Sequence, residues 1–374
     1  MIETQIKTRP ASQCLLCGAA GAVLYAGLRD RSFAAPGEWG LRRCPRPECG
    51  LVWLDPLPTE ADIGKAYQTY YTHNQPAPAA SWIRDAVYAV WESYLRVRFG
   101  YRQGVGPAWR VVLSPLALLH PGGPDELDSA AMYLPAPAGA ARVLDVGCGS
   151  GVLLARMQAL GWEVDGVEVD PGAVAAARAR GVRVFQGPLA ERRFPANHFD
   201  AVHSAHVIEH VHDPVALLRE CFRILKPGGT LVILTPNLKS WGHRHFGAAW
   251  LNLDPPRHLV LFNAPTLRRA AEQTGFAVAR LDSTIRTAWV YGALSRQIQR
   301  TGRGEMADLG RLPPLLHGLG FQLRERVVKW FDPDAGDELR LIAHKPAAYS
   351  DCLPPVEPVE NTPSRPAGIP AGAS

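Results

Sequence analysis

The sequence predicts an α/β protein built on a doubly wound, mostly parallel seven-stranded sheet, with a small cysteine-bearing segment ahead of it. Three observations predict it. From about residue 140 onward, short apolar runs alternate with stretches of helical period. Asp170-Pro171 and Asp213-Pro214 each set a capping carboxylate before a proline at the first helical position. Cys14, Cys17, Cys44 and Cys49 crowd into the start of the chain, far from the remaining cysteines.

Strands are predicted at 143–146, 164–169, 182–185, 199–203, 230–235, 276–281 and 338–343. Between them, 152–160 has helical period and stops at Gly161. A second helix opens at Pro171 and closes at Gly181. The helix 215–225 stops at Lys226-Pro227-Gly228-Gly229, and 266–273 precedes Gly275. A helical insert fills about 286–330, so the main domain spans 140–345. Residues 1–12 read as a flexible lead-in, and 13–72 as the cysteine segment with its linker, including Tyr67, Tyr70 and Tyr71. A helical connecting segment covers 73–139: after a Pro/Ala break at 76–80, Trp82, Val87, Val90, Trp91, Tyr94 and Leu95 lie at helical spacing, whereas the Gly/Pro-rich interval 104–137 has no clear assignment. The tail 346–374, with seven prolines and few large apolar residues, reads as disordered.

The chain has 374 residues, 47% hydrophobic and 20% charged, an ordinary globular balance for one large domain with small appendages. Its net charge of +5 is spread over scattered arginines, with no Lys/Arg block that would argue for nucleic acid. The polar N-terminus lacks a signal-peptide core, and no apolar run approaches the roughly 20 residues of a membrane span. The expectation is a soluble, cytoplasmic protein.

The run Asp145-Val146-Gly147-Cys148-Gly149-Ser150-Gly151 sits between the first strand and the first helix of the domain. In open α/β sheets, ligands bind at the carboxyl ends of strands, where such turns lie. Glu168, ending the second strand, is placed to accept hydrogen bonds from a ribose. A dinucleotide is the competing ligand, but its fingerprint needs Gly at 152, which is Val, and Asp145 would repel a pyrophosphate. A ligand with an ammonium and a sulfonium and no phosphate suits Asp145. That ligand is S-adenosylmethionine.

The blocks 143–151, Gly166-Val167-Glu168-Val169-Asp170, Phe199-Asp200-Ala201-Val202, Val207-Ile208-Glu209-His210-Val211, Leu225-Lys226-Pro227-Gly228-Gly229 and Thr235-Pro236-Asn237 occur in one order over about 142–281. Together they resemble the class I, Rossmann-like S-adenosylmethionine-dependent methyltransferases. The resemblance implies that Gly147, Gly149 and Gly151 line the methionine and ribose portions, that Asp145 meets the amino group, and that Glu168 holds the ribose hydroxyls. Ser204 and His206 would face the methionine portion or the acceptor. Where members often carry an acid after the third strand, this chain has Gln186-Gly187-Pro188-Leu189, so the adenine would be held by backbone near Leu189, with Glu191 as a substitute. Cys148 and Val169 complete the expected cofactor-binding set. No base neighbours Cys148 in sequence, so it reads as a small packing residue rather than a nucleophile.

Cys14-x-x-Cys17 and Cys44-x4-Cys49 form two knuckles, each followed by a glycine, Gly18 and Gly50. Two thiolate pairs suit tetrahedral Zn2+, and a four-thiolate site is closed, hence structural. A zinc ribbon over 13–72 with its linker then folds a segment that has little core of its own. Cys49-Gly50-Leu51-Val52-Trp53, Pro58 and Tyr67–Tyr71 resemble the linker of a methyltransferase group acting on nucleotide-linked sugars and related metabolites.

Methyl transfer is an in-line displacement, so the protein must align the acceptor and, for poor nucleophiles, take its proton. His258, in Asp254-Pro255-Pro256-Arg257-His258, is the first candidate base; His206 and His210 follow, from the group His203, His206, His210 and His212. A turn would bring His206 and His210 together, while Glu209-His210 also reads as a brace for the next helix. Arg257, Arg244 and Lys239 would suit a diphosphate. The expected partner is a small-molecule acceptor, for instance a nucleotide-linked sugar. Two other readings stay open: RNA methylation with the ribbon as RNA module, and a non-catalytic scaffold. The RNA reading is weakened because His206-x-x-Glu209-His210 has His where RNA 3′-end ribose methyltransferases carry Glu.

Overall fold

The computed structural model describes residues 5–67, 82–103, 105–119 and 122–347. Tyr70, Tyr71, the 76–80 break, Cys352 and nearly all of the 346–374 tail lie outside the described residues.

The cysteine segment comes first. β1 (Thr8–Arg9) lies within the predicted lead-in and pairs antiparallel with β5 (Leu57–Pro58). β2 (Ala22–Leu28), β3 (Trp39–Arg43) and β4 (Val52–Asp55) form an antiparallel meander. Next come α1 (Trp82–Phe99), a 3-10 segment (Ala108–Leu119) and α2 (Gly123–Ser129), so the unassigned 104–137 interval is partly helical.

The large sheet contains β6 (Arg142–Val146), β7 (Glu163–Glu168), β8 (Arg183–Gln186), β9 (Phe199–Ala205), β10 (Leu225–Pro236), β12 (Ala277–Thr284) and β13 (Glu338–His344), in the order β12-β13-β10-β9-β6-β7-β8. Only β13 runs antiparallel to its neighbours. This is the predicted seven-stranded, mostly parallel sheet. Its helices are α3 (Val152–Ala159), α4 (Pro171–Ala179), α5 (Leu189–Arg192), α6 (Pro214–Ile224), α7 (Trp241–Phe246) and α8 (Ala264–Glu272). The predicted caps form: Asp170 accepts from the Ala173 N–H at 2.7 Å and Asp213 from the Ala216 N–H at 2.8 Å. The insert is a pair of packed helices, α9 (Ala288–Thr301) and α10 (Leu312–Phe331).

Two local expectations change. Lys226–Gly229 does more than stop α6. It belongs to β10, whose register against β9 shifts between Leu225 and Thr230, and its Gly228 N–H donates to the Lys345 carbonyl at 2.8 Å. The loop after β10 also returns to the cysteine segment: β11 (Val260–Leu261) pairs antiparallel with β4. The small sheet therefore reads β11-β4-β3-β2.

Side-chain alternation in β6 sends Leu144 and Val146 to one face and Val143 to the other. The first face shares a continuous core with Trp39, Leu41 and Trp53 of the cysteine segment; the second packs on Tyr94, Leu95 and Tyr101. Among the described residues, no helix is long and apolar enough to cross a membrane.

Candidate active site

Strand order reverses between β6 and β9, and in open α/β sheets the crevice at the strands' carboxyl ends beside such a switch point is where ligands bind. The glycine turn after β6 lies there. Gly147, Gly149 and Gly151 all take left-handed φ, between 52° and 74°. Their surroundings differ. A Cβ at Gly147 would meet Val207 Cγ2 at 2.3 Å, and one at Gly151 would meet Ala177 and Val182 at 2.8 Å, whereas nothing lies within 4 Å of one at Gly149. Gly147 and Gly151 thus seat the turn on its neighbours, and Gly149 presents backbone to open space.

Glu168 braces this turn. Its carboxylate accepts the Gly149 N–H at 2.8 Å, the Val169 N–H at 2.8 Å and the Asp170 N–H at 3.0 Å. A carboxylate has roughly four acceptor positions, so room for one more donor remains. Asp145 is buried beside β9 and accepts from His203 Nδ1–H at 2.8 Å. Ser204, in register with Val146, is fully buried, and its Oγ has no hydrogen-bond partner. Val169 is exposed and Leu189 is buried at the start of α5. Cys148 packs against Gly166, where an added Cβ would meet its Sγ at 2.7 Å. Burial, with Asp145 and Glu168 nearby, pushes its thiol far up, which agrees with a packing role.

These residues fit S-adenosylmethionine. The open space over Gly149 and the spare capacity of Glu168 lie together at the switch point. The carboxylates of Asp145 and Glu168 suit a cation there.

The histidines separate into two groups. His206, at φ 55°, donates from Nδ1 to Glu209 at 3.2 Å and from Nε2 to Glu338 at 2.7 Å. Burial opposes its charge, but the two carboxylates outweigh burial and raise its pKa to about 9. It is an imidazolium at neutral pH. Arg286 closes the network with two hydrogen bonds to Glu338, at 3.0 and 2.5 Å, and Thr235 donates to Glu209 at 3.0 Å. Glu338 and Arg286 were not singled out from the sequence. The available signal is a glutamate opening the final strand.

His210 joins His258 instead of His206; the two rings lie 4.7 Å apart. His258 Nδ1–H donates to the Asn252 carbonyl at 2.7 Å, which fixes the orientation of its ring. His210 Nδ1 lies 3.0 Å from the Arg257 carbonyl and 3.0 Å from the Tyr67 hydroxyl. Burial and the neighbouring His258 lower its pKa to about 4, so it is neutral. His258 is buried and His210 half-buried. Two cations proposed for a diphosphate are committed elsewhere. Arg257 is fully buried between Asp30, at 2.7 Å, and Asp254, at 2.5 Å, and Arg244 pairs with Asp332 at 2.8 Å.

The cysteines converge as predicted. The four Sγ atoms lie within 4.8 Å of one another, with Cys14–Cys49 at 3.6 Å and Cys17–Cys44 at 3.5 Å. A tetrahedral ion with bonds of about 2.3 Å spaces its sulfurs by roughly 3.8 Å. The thiols fit such an ion. Gly18 and Gly50, at φ 70° and 63°, close the two knuckles.

The sheet order and its switch point are Rossmann-like, and residues 123–281 match the family model of a methyltransferase domain. Among relatives, the ubiquinone biosynthesis O-methyltransferase of Xanthomonas campestris pv. campestris is 38% identical over 139 residues, 34% of this chain and 56% of that protein. The protein so named from Xylella fastidiosa is 33% identical over 162 residues, 39% of this chain and 64% of that protein. The chain thus spans less than two thirds of the length of these curated relatives. A solved S-adenosylmethionine-dependent methyltransferase from Mesorhizobium loti is 20% identical over 59% of this chain and 97% of that one, at a TM-score of 0.40.

Proposed function

We propose that this chain transfers a methyl group from S-adenosylmethionine to a small-molecule acceptor, and that Cys14, Cys17, Cys44 and Cys49 hold a structural Zn2+. The observation that carries the first reading is the crevice at the β6/β9 switch point, where two buried carboxylates, Asp145 and Glu168, border a glycine turn with open space over Gly149. Negative charge there favours a cationic ligand and opposes a dinucleotide. The cofactor, when bound, supplies an electrophilic methyl group.

Asp145 would hold the cofactor's amino group and Glu168 its ribose, with Val169 and the backbone at Leu189 against the adenine. The acceptor enters beside His206 and His210. His206 has both nitrogens engaged and its proton in place, so it positions Glu209 and Glu338 rather than accepting a proton. Proton removal falls to the His210–His258 pair, of which His210 is the more exposed member. The relatives' name supports a hydroxyl acceptor, for which such a base is needed. With Arg257 and Arg244 held in ion pairs, a nucleotide-linked sugar must find its diphosphate contacts elsewhere. The reduced thiol cluster supports a cytoplasmic setting.

Calorimetry tests the reading. Asp145→Asn should weaken S-adenosylmethionine binding by roughly tenfold or more. Wild-type protein that binds a nicotinamide dinucleotide and not S-adenosylmethionine would overturn it.

A further inference from the structure

α10 carries apolar residues on two faces. One face, with Gly318, Phe321, Gln322 and Glu325, is buried against the domain. The other presents Leu312, Leu316, Leu319, Leu323, Val327, Trp330 and Phe331 to solvent, at steps of three, four and one along the helix. Trp330 is 75% exposed and Phe331 85%. An apolar stripe of this extent on a free surface is a binding surface.

Its surroundings are basic. Arg296 and Arg300 on α9, and Arg324 on α10, are exposed and form no ion pair among the described residues. His317 lies in their field: partial burial and the charges of Arg296, Arg324 and Arg300 hold its imidazole below the ordinary value. Arg311, at the start of α10, is paired with Asp308.

Two occupants fit an apolar stripe, and charge separates them. A second copy would bring the same arginines against one another. Its area is also small: about 30 Å of helix by about 10 Å of width gives roughly 300 Å² per partner, against roughly 800 Å² in a standard interface. A bilayer interface needs no such area from one helix, favours Trp and Phe at its boundary, and supplies negative charge if its lipids are anionic. We propose that the exposed face of α10 docks this protein peripherally on an anionic lipid surface, with Leu316, Leu323, Trp330 and Phe331 in the headgroup boundary and Arg296, Arg300 and Arg324 over the headgroups. The insert lies outside the residues that match the methyltransferase family model.

Co-sedimentation of the full chain with vesicles provides the test, using phosphatidylcholine alone and phosphatidylcholine mixed with phosphatidylglycerol. The protein should partition to the mixed vesicles, less so as salt is raised. Leu323→Ser with Trp330→Ser should reduce that partition roughly ten- to hundredfold. Arg296→Gln with Arg324→Gln should reduce it and flatten its salt dependence. Both variants must keep the wild-type thermal transition, which shows that they fold. Absence of partition to either vesicle overturns the proposal. So does a concentration-dependent dimer that Leu323→Ser dissociates while vesicles bind neither form.

Discussion

His206 holds the least ordinary position in the crevice, with a left-handed backbone and a ring clamped between two buried carboxylates. Such strain persists only where the surroundings over-determine it, and here Glu209, Glu338 and Arg286 do so. The pH consequence follows from sign. The folded-state pKa is raised from 6.5 to about 9, so the stabilisation is fully present below pH 6.5 and lost as pH rises through about 9. Urea midpoints measured across that window should fall for the wild type and stay flatter for His206→Gln. Parallel curves would show that the ring is not held charged. The sequence places His206 just past a strand at the carboxyl edge, which is why it reads as a candidate. It could not show the charge state, because Glu338 is far away in sequence and meets His206 only once β13 has inserted beside β10.

At the scale of elements, the parts defined by short-range chemistry were readable in advance. Asp170 and Asp213 cap as their Asp-Pro pairs require, and the two knuckles bring four thiols together. The glycine turn was readable too, although the structure divides its glycines between packing, at Gly147 and Gly151, and open space, at Gly149. What could not be read was long-range: β11 joining β4, and the buried face of α10. That face contains Glu325, fully buried with neither carboxylate oxygen hydrogen-bonded. Burial, and then the charge of Asp337, raise its pKa well above the ordinary glutamate range, and Lys329 and the nearby Asp337 backbone N–H, which falls short of good hydrogen-bond geometry, oppose this only in part. A carboxyl raised in the folded state stabilises least when pH is high, so stability should fall as pH climbs above the normal value of 4.5. Glu325→Gln removes the burden of ionisation. It should stabilise the protein by on the order of 2 kcal/mol at alkaline pH, with the difference vanishing in mild acid. A variant less stable than wild type at every pH would mean that Glu325 has a partner in solution.

For the whole molecule, the decisive fact is how closely the cysteine segment is joined to the large sheet. A zinc ribbon read from sequence suggests a small module on a linker. Here Trp53 and Leu54 share one core with Leu144, Leu231 and Phe262, and β11, from the loop after β10, completes the small sheet. Arg257, from that same loop, is buried against Asp30. Leaving either charge unpaired in that interior would be strongly destabilising, so the two parts should not separate without unfolding. The loop also carries His258, whose neighbour His210 follows β9. A metal bound at the four thiols therefore supports the position of the proposed base as well as the ribbon. If so, stripping the metal with a chelator, or substituting Cys44→Ser, should move a single calorimetric unfolding transition to lower temperature and lower turnover with it. Elemental analysis before stripping should find about one zinc per chain, the closed four-thiolate stoichiometry. A separate early transition, with the main one and the activity unmoved, would instead mean that the ribbon unfolds alone and that the shared core contributes little to the crevice.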